Sequence, residues 1–306
     1  MLALNAISKK GTNVNQARLD VPLIISEWLQ PILVDPLSKM RFVNQSHKGF
    51  ESPCGLQYGY TDGVPDFRVR FAGSAEEWLV GQLAFESWLD KYFDRGEAEG
   101  DFYRTEQEID SPIYAKFALS GRVLDVGGQL GHIRKYLQPD QEYCSLDPFV
   151  GVHVRARNRP NLFASYPLAV PLNFVGGYAE FLPFQEGSFD VVNMRSCIDH
   201  FFNPEIALLE AFRVLRKGGR LIVGLTVEGR SLKSKIKECI RPAISPILTR
   251  YKDHHMWHPS YDNLIKLCDG CGFDLCDEIW QTADIFYGSF SRRPSHLVAA
   301  DSFLGK

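Results

Sequence analysis

The residues best placed to do chemistry lie together in Val123-Leu124-Asp125-Val126-Gly127-Gly128-Gln129-Leu130-Gly131. An apolar run ending in glycines describes a strand that turns sharply into a helix. Glycine at such a turn lets the backbone approach a ligand with no Cβ in the way. Asp147 ends the next apolar run, where an acid can accept hydrogen bonds from both hydroxyls of a ribose.

The ligand type follows from charge. The loop lacks the first three positions of Gly-x-Gly-x-x-Gly, and Asp125 directs a carboxylate into the space a pyrophosphate would fill. A cationic, phosphate-free nucleoside suits it better. S-adenosylmethionine (SAM), with a sulfonium and an α-ammonium group, is the cofactor expected. A tight turn with no ligand is the alternative for the loop taken alone.

Further candidates surround a later strand, Phe189–Met194. His200, preceded by Asp199, falls beyond that strand on the edge where open α/β sheets bind ligands, and is the first candidate for a general base; helix capping is its plainer role. His254 and His258 stand four apart in Asp253-His254-His255-Met256-Trp257-His258. That spacing could make a metal pair on a helix, but Pro259 limits the helix and no third ligand is evident. A loop at the site's mouth supplying a base, or a simple packing loop, is expected, and no metal. Cys268 and Cys271 share one helix face with Leu264 and read as buried small hydrophobes. Arg230, Lys233, Lys235, Lys237 and Arg241, interleaved with Leu232, Ile236 and Ile240, form either a solvated helix face or a lid meeting anionic groups.

Strand–helix alternation from about residue 119 positions these groups: strands at Arg122–Val126, Glu142–Asp147, Phe189–Met194 and Arg220–Thr226, and a helix at Gly131–Leu137. Another helix has Asn203 as N-cap, Pro204 in its first turn and Gly218 at its end. Such alternation implies a parallel sheet covered by helices. A helix from Ser260 to Gly272 leads to an edge hairpin, Phe273–Trp280 with His296–Ala300. Upstream, residues 31–72 read as short β pieces, Ser74 and Glu77 as a capping box opening a helix, and residues 94–111 as a linker.

With those residues in place, the chain resembles the small-molecule class I methyltransferases. The resemblance rests on the glycine loop, Asp147, and Ala179, Glu180, Leu182, Pro183, Phe184, Phe189, Asp190, Val191, Val192, His200, Glu210, Arg213, Val214, Leu215, Gly218 and Gly219. It implies an α/β, Rossmann-like, seven-stranded sheet with the last strand antiparallel. It also implies that Asp125, Gly127, Gly128 and Gly131 line the methionine end of SAM and that Asp147 holds the ribose. Ala179 and Glu180 would lie by the adenine, and Arg195 and Ser196 beside the reacting methyl. Two positions depart from the pattern: Gln129 replaces a glycine, tolerable at negative φ, and Tyr178 replaces an acid that caps the adenine. The stretch ending CGLQYGYTDGVPDFR resembles a zinc-ribbon-like module, with Asp35, Ser38 and Glu51 standing where thiolates would be and only Cys54 kept. A structural zinc site needs four soft or borderline ligands and only one thiolate of the four is kept, so no metal is expected.

The resulting division is a β-rich module over 1–72, a helical linker or lid over 73–118, and a SAM-binding domain over 119–306 with an insertion at 228–259. Net charge of −3 opposes a nucleic-acid partner, no apolar run is long enough to span a bilayer, and seven cysteines read as reduced thiols of a cytoplasmic protein. The expected reaction is O-methylation of a small-molecule acceptor, a sugar or secondary metabolite. An RNA base methyltransferase and a SAM-binding protein without transfer activity are the alternatives.

Overall fold

Five strands, buried almost without interruption except for the exposed start of the last, form the centre of the protein in a computed structural model, which describes residues 23–70, 76–99, 102–129, 131–138, 140–157, 172–228 and 255–294. They are β6 (Arg122–Val126), β7 (Glu142–Asp147), β8 (Leu172–Gly176), β9 (Phe189–Arg195) and β10 (Leu215–Thr226). All pair in parallel, in the order β8-β7-β6-β9-β10. Near-continuous apolar strands are what a parallel sheet covered on both faces requires. Chain order reverses between β6 and β9, and this switch point opens a crevice at the carboxyl ends of the strands.

The sheet is larger than the seven strands expected. Beyond β10 come β12 (Ile285–Arg292), antiparallel to its neighbours, and then β11 (Phe273–Trp280). Beyond β8, the sheet runs on through β5 (Val64–Asp66), β4 (Gln57–Thr61), β3 (Gly49–Glu51) and β2 (Asn44–Ser46). The two-residue β1 (Leu23–Ile24) also pairs with β8, which makes twelve strands among the described residues. Sequence pattern alone did not reveal this continuation because one backbone pairing, Asp66 with Gly176, makes the join.

Local chemistry explains the helices. In α4 (Pro204–Val214) the Asn203 side chain accepts from the Ile206 amide at 3.1 Å, while Ala207, Leu208, Ala211 and Val214 turn inward. This helix stops at Val214, short of Gly218. Ser260 caps α5 (Tyr261–Gly270) in the same way. Three other expectations are corrected. The described residues within 94–111 are helical, belonging to α1 (Glu76–Glu99) and α2 (Phe102–Lys116); a polar composition is common to loops and to long helices and does not separate them. The stretch after the glycine loop is a short 3-10 turn, His132–Tyr136, whose entry residue Gly131 has φ 76°. The partner of β11 begins at Ile285 and includes Gly288, whose missing side chain leaves room for Phe286 and Phe290. The remaining helix, α3, spans Val150–Arg157. Ser74, the strand expected at 296–300, residues 230–241 and His254 lie outside the described residues.

Asp62 (φ 50°) and Gly63 (φ 81°) turn β4 into β5 with both central residues left-handed, the pattern that matches strand twist. Asp35, fully buried, accepts hydrogen bonds from Ser38 Oγ at 2.7 Å, the Leu37 amide at 3.1 Å, Tyr58 OH at 2.8 Å and the Cys54 thiol at 3.7 Å. Burial pushes its pKa up, but the bonds from Ser38, Leu37 and Tyr58 outweigh burial and hold the carboxyl below its ordinary value. A carboxyl depressed in the folded state contributes stability above its unfolded pKa and loses it as pH falls through the folded value. Asp35→Ala should therefore cost about 1–3 kcal/mol at pH 7, measured by chemical denaturation. The gap from wild type should narrow below about pH 4; a gap that stays constant would show that the charge contributes nothing.

Candidate active site

The crevice at the switch point is a cavity of about 530 Å³, within the range of small-molecule sites. All five central strands contribute residues at their carboxyl ends. Asp125, Gly127, Gly128 and Gln129 follow β6, and Asp147, Pro148 and Phe149 follow β7. Gly177, Tyr178, Ala179 and Glu180 follow β8; Arg195, Ser196, Cys197, Asp199 and His200 follow β9; Leu225 and Thr226 end β10. One wall comes from α1 through Trp78, Gln82, Phe85, Trp88 and Tyr92.

Asp125 is buried and both its oxygens are held: Tyr143 OH donates to Oδ2 at 2.6 Å and Asn193 Nδ2 to Oδ1 at 2.7 Å. Burial pushes its pKa up to about 6, against the lowering effect of those two bonds and of Arg195. The loop beyond it has no room for side chains. A Cβ on Gly127 (φ 70°) would stand 2.8 Å from Cys197 Cβ, and one on Gly128 would stand 2.6 Å from the Asp125 carboxylate. Gln129 has φ 49°, not the negative value expected of a non-glycine residue here. Its carbonyl accepts from Ser145 Oγ at 2.8 Å, which helps hold a conformation costing about 1–2 kcal/mol. Ser196, which also lines the pocket, likewise has positive φ (50°), and its amide donates to the Gly224 carbonyl at 2.6 Å.

Asp147 Oδ1 accepts from the Phe149 amide at 2.8 Å and lies 3.1 Å from Nε2 of the fully buried His153. Glu180 lines the pocket, yet Oε1 accepts from the Asn203 amide at 3.0 Å, tying it to the start of α4; burial raises its pKa. Arg195 is paired with buried Asp110 of α2 at 2.7 Å. Tyr178 meets Trp78 edge-on with centroids 5.3 Å apart. Gly131 is absent from the lining and serves the 3-10 turn.

At the far end Asp199, His200 and His255 converge. His200 stacks on Phe85 (4.5 Å, 28°) and faces His255 (4.5 Å, 33°). The amides of Met256 and Trp257 donate to the Asp199 carbonyl at 2.8 and 3.2 Å, and Trp78 Nε1 and Gln82 Nε2 donate to the His200 carbonyl at 3.0 and 3.2 Å. His258 sits further out, its Nδ1 3.7 Å from Glu228. Of the two described histidines of the run, His255 is the one in the pocket wall. Sequence reasoning missed it, together with Tyr143, Asn193, Asp110 and the ring wall of α1. The aromatic spacing of α1 was visible, but spacing does not say which cavity a helix faces.

The pocket thus presents the carboxylates of Asp125, Asp147, Glu180 and Asp199 against one guanidinium already paired with Asp110. That donor set fits a cationic nucleoside and opposes a pyrophosphate. The glycine cradle leaves the backbone accessible, as SAM would need.

Comparisons with known proteins agree. The family model described as a methyltransferase domain matches residues 124–223. A ubiquinone/menaquinone biosynthesis C-methyltransferase, UbiE, of Dinoroseobacter shibae is 39% identical over 105 residues, covering 33% of this chain and 41% of that protein. The uncharacterized methyltransferase YcgJ of Bacillus subtilis is 29% identical over 136 residues, 44% of this chain and 48% of that one. The chain thus spans less than half the length of these relatives. Among solved structures, the [4+2]-cyclase SpnF superposes with a TM-score of 0.50 at 14% identity, over 74% of this chain and 98% of that chain.

Gly127→Ala should lower stability by about 1–3 kcal/mol, from the left-handed backbone and the contact with Cys197. Chemical denaturation checks this, and a variant as stable as wild type would show that the loop can relax. Residues 124–223 are thus similar to a methyltransferase domain.

Proposed function

We propose that this chain is a SAM-dependent methyltransferase acting on a hydroxyl-bearing small molecule. The fold does not choose the reaction, since a protein named as a cyclase shares it. The observation that supports the reading is the charge of the pocket: four carboxylates facing one neutralised arginine.

In this reading Asp125 and the Gly127–Gly128 backbone receive the methionine end, Asp147 the ribose, and Tyr178 and Ala179 the adenine. SAM, when bound, supplies an electrophilic methyl group that leaves a neutral thioether behind. Holding the acceptor in line with that group supplies much of the rate. The α1 rings Trp78, Phe85 and Trp88 offer flat apolar surface on which a ring-shaped acceptor packs and from which water is excluded. An acceptor hydroxyl lodged at the far end would meet His200 and Asp199, and proton loss there makes its oxygen a stronger nucleophile. The printed name of the UbiE relative specifies methylation at carbon. Loss of a hydroxyl proton serves that outcome as well, since it enriches the adjoining carbon of an unsaturated ring. The sugar expected from the sequence remains one acceptor of this class.

Asp147→Ala should weaken binding of SAM and S-adenosylhomocysteine by about 1–3 kcal/mol, read by calorimetry; unchanged affinity would remove Asp147 from the site. A second test uses pH. Because the folded-state pKa of Asp125 is raised to about 6, its ionised form costs stability: the contribution is fully present below the unfolded value and lost as pH rises through 6. A bound cation offsets that cost. SAM affinity should therefore rise about tenfold from pH 5 to pH 7, the change expected if only the carboxylate form binds. A flat profile would show that Asp125 does not face the charge.

A further inference from the structure

The buried Asp199 carboxylate poses a problem that the methyltransferase reading leaves unanswered. Asp199 is only 8% exposed, and Oδ1 has no hydrogen-bond partner among the described residues. Oδ2 lies 3.6 Å from His255 Nε2, beyond hydrogen-bond reach. An ionised carboxylate removed from water without donors is costly, and such a group is normally paired or bound to a metal. One ligand atom from each of Asp199, His200 and His255 falls within 4.8 Å of the other two.

We propose that Asp199, His200 and His255 bind a divalent transition-metal ion at the acceptor end of the pocket. Donors bonded at about 2.1 Å in a tetrahedral site stand about 3.4 Å apart, close to the 3.6 Å between Asp199 and His255. Two imidazoles with one carboxylate favour zinc, iron, cobalt or manganese over magnesium or calcium, which prefer all-oxygen sets. The two segments that bear the ligands are already fixed. Backbone bonds from Met256 and Trp257 tie the histidine loop to the Asp199 carbonyl, and Trp78 and Gln82 of α1 hold the His200 carbonyl. Rings of Phe85 and His255 flank the His200 imidazole. Such support around ligands is what keeps a metal site in shape.

Three protein ligands leave positions open toward the cavity, the arrangement of catalytic rather than structural sites. A hydroxyl of the acceptor bound there would be acidified by the cation, its proton leaving to solvent through the pocket mouth. The cluster then weakens the O–H bond through the metal instead of taking the proton itself. The ion would also satisfy Asp199, and this holds whether or not methyl transfer is the reaction.

The test is equilibrium dialysis of the metal-free full chain against Co²⁺, with visible absorption reporting its coordination. Wild type should take up one Co²⁺ per chain with a spectrum of bound nitrogen ligands. His255→Ala and Asp199→Asn should each bind about 100-fold more weakly or worse, while melting without metal as wild type does. Absence of stoichiometric uptake by wild type, or uptake by folded His255→Ala equal to wild type, overturns the site. S-adenosylhomocysteine calorimetry on the same samples tests the methyltransferase reading separately, since a chain that binds Co²⁺ but no nucleoside would lose that reading and keep this one.

Discussion

Holding negative charge in an apolar crevice is the constraint on which the rest of this structure depends. Asp125 sits at the end of a fully buried strand, where desolvation works against ionisation, and two neighbouring strands each send a donor to it, Tyr143 from β7 and Asn193 from β9. Asn193 Oδ1 in turn accepts from Tyr114 of α2 at 3.2 Å. The register of three strands and the docking of a helix are thereby tied to one carboxylate. Its glycine loop can pass close by only because no side chain intervenes.

A similar balance recurs around the crevice. Arg195, the cation that would otherwise neutralise the pocket, is turned toward Asp110. Asp147 is positioned by an amide and a buried imidazole. The protein withholds positive charge from the cavity by pairing its one guanidinium elsewhere, which shapes ligand choice as firmly as any direct contact.

Much of this was legible in the sequence because it is written in local pattern. The strand ending in a glycine turn, Asp147, the Asn203 and Ser260 caps and the strand alternation all depend on neighbours a few residues apart. What escaped depends on distant pairing. The extension of the sheet through β5 rests on a contact between Asp66 and Gly176. His255 enters the pocket because its loop is tied to Asp199, not because of its spacing from His254 and His258. Gln129 was read as tolerable at negative φ, yet the loop imposes the glycine-like conformation on it and a hydroxyl from β7 helps hold it there. Linker composition misled within 94–111, where the described residues belong to two long helices.

The strands that continue the sheet past β8 have a consequence for how the chain can be divided. A central sheet ending at β8 would present a row of bare amides and carbonyls, a template for pairing with other chains. Here β1 and β5 occupy that border, and Arg68, just past β5, donates to the Pro148 carbonyl beside Asp147 at 3.0 Å. Trimming the chain to its recognisable core would uncover a sticky margin and unmoor the Asp147 corner of the crevice in one cut.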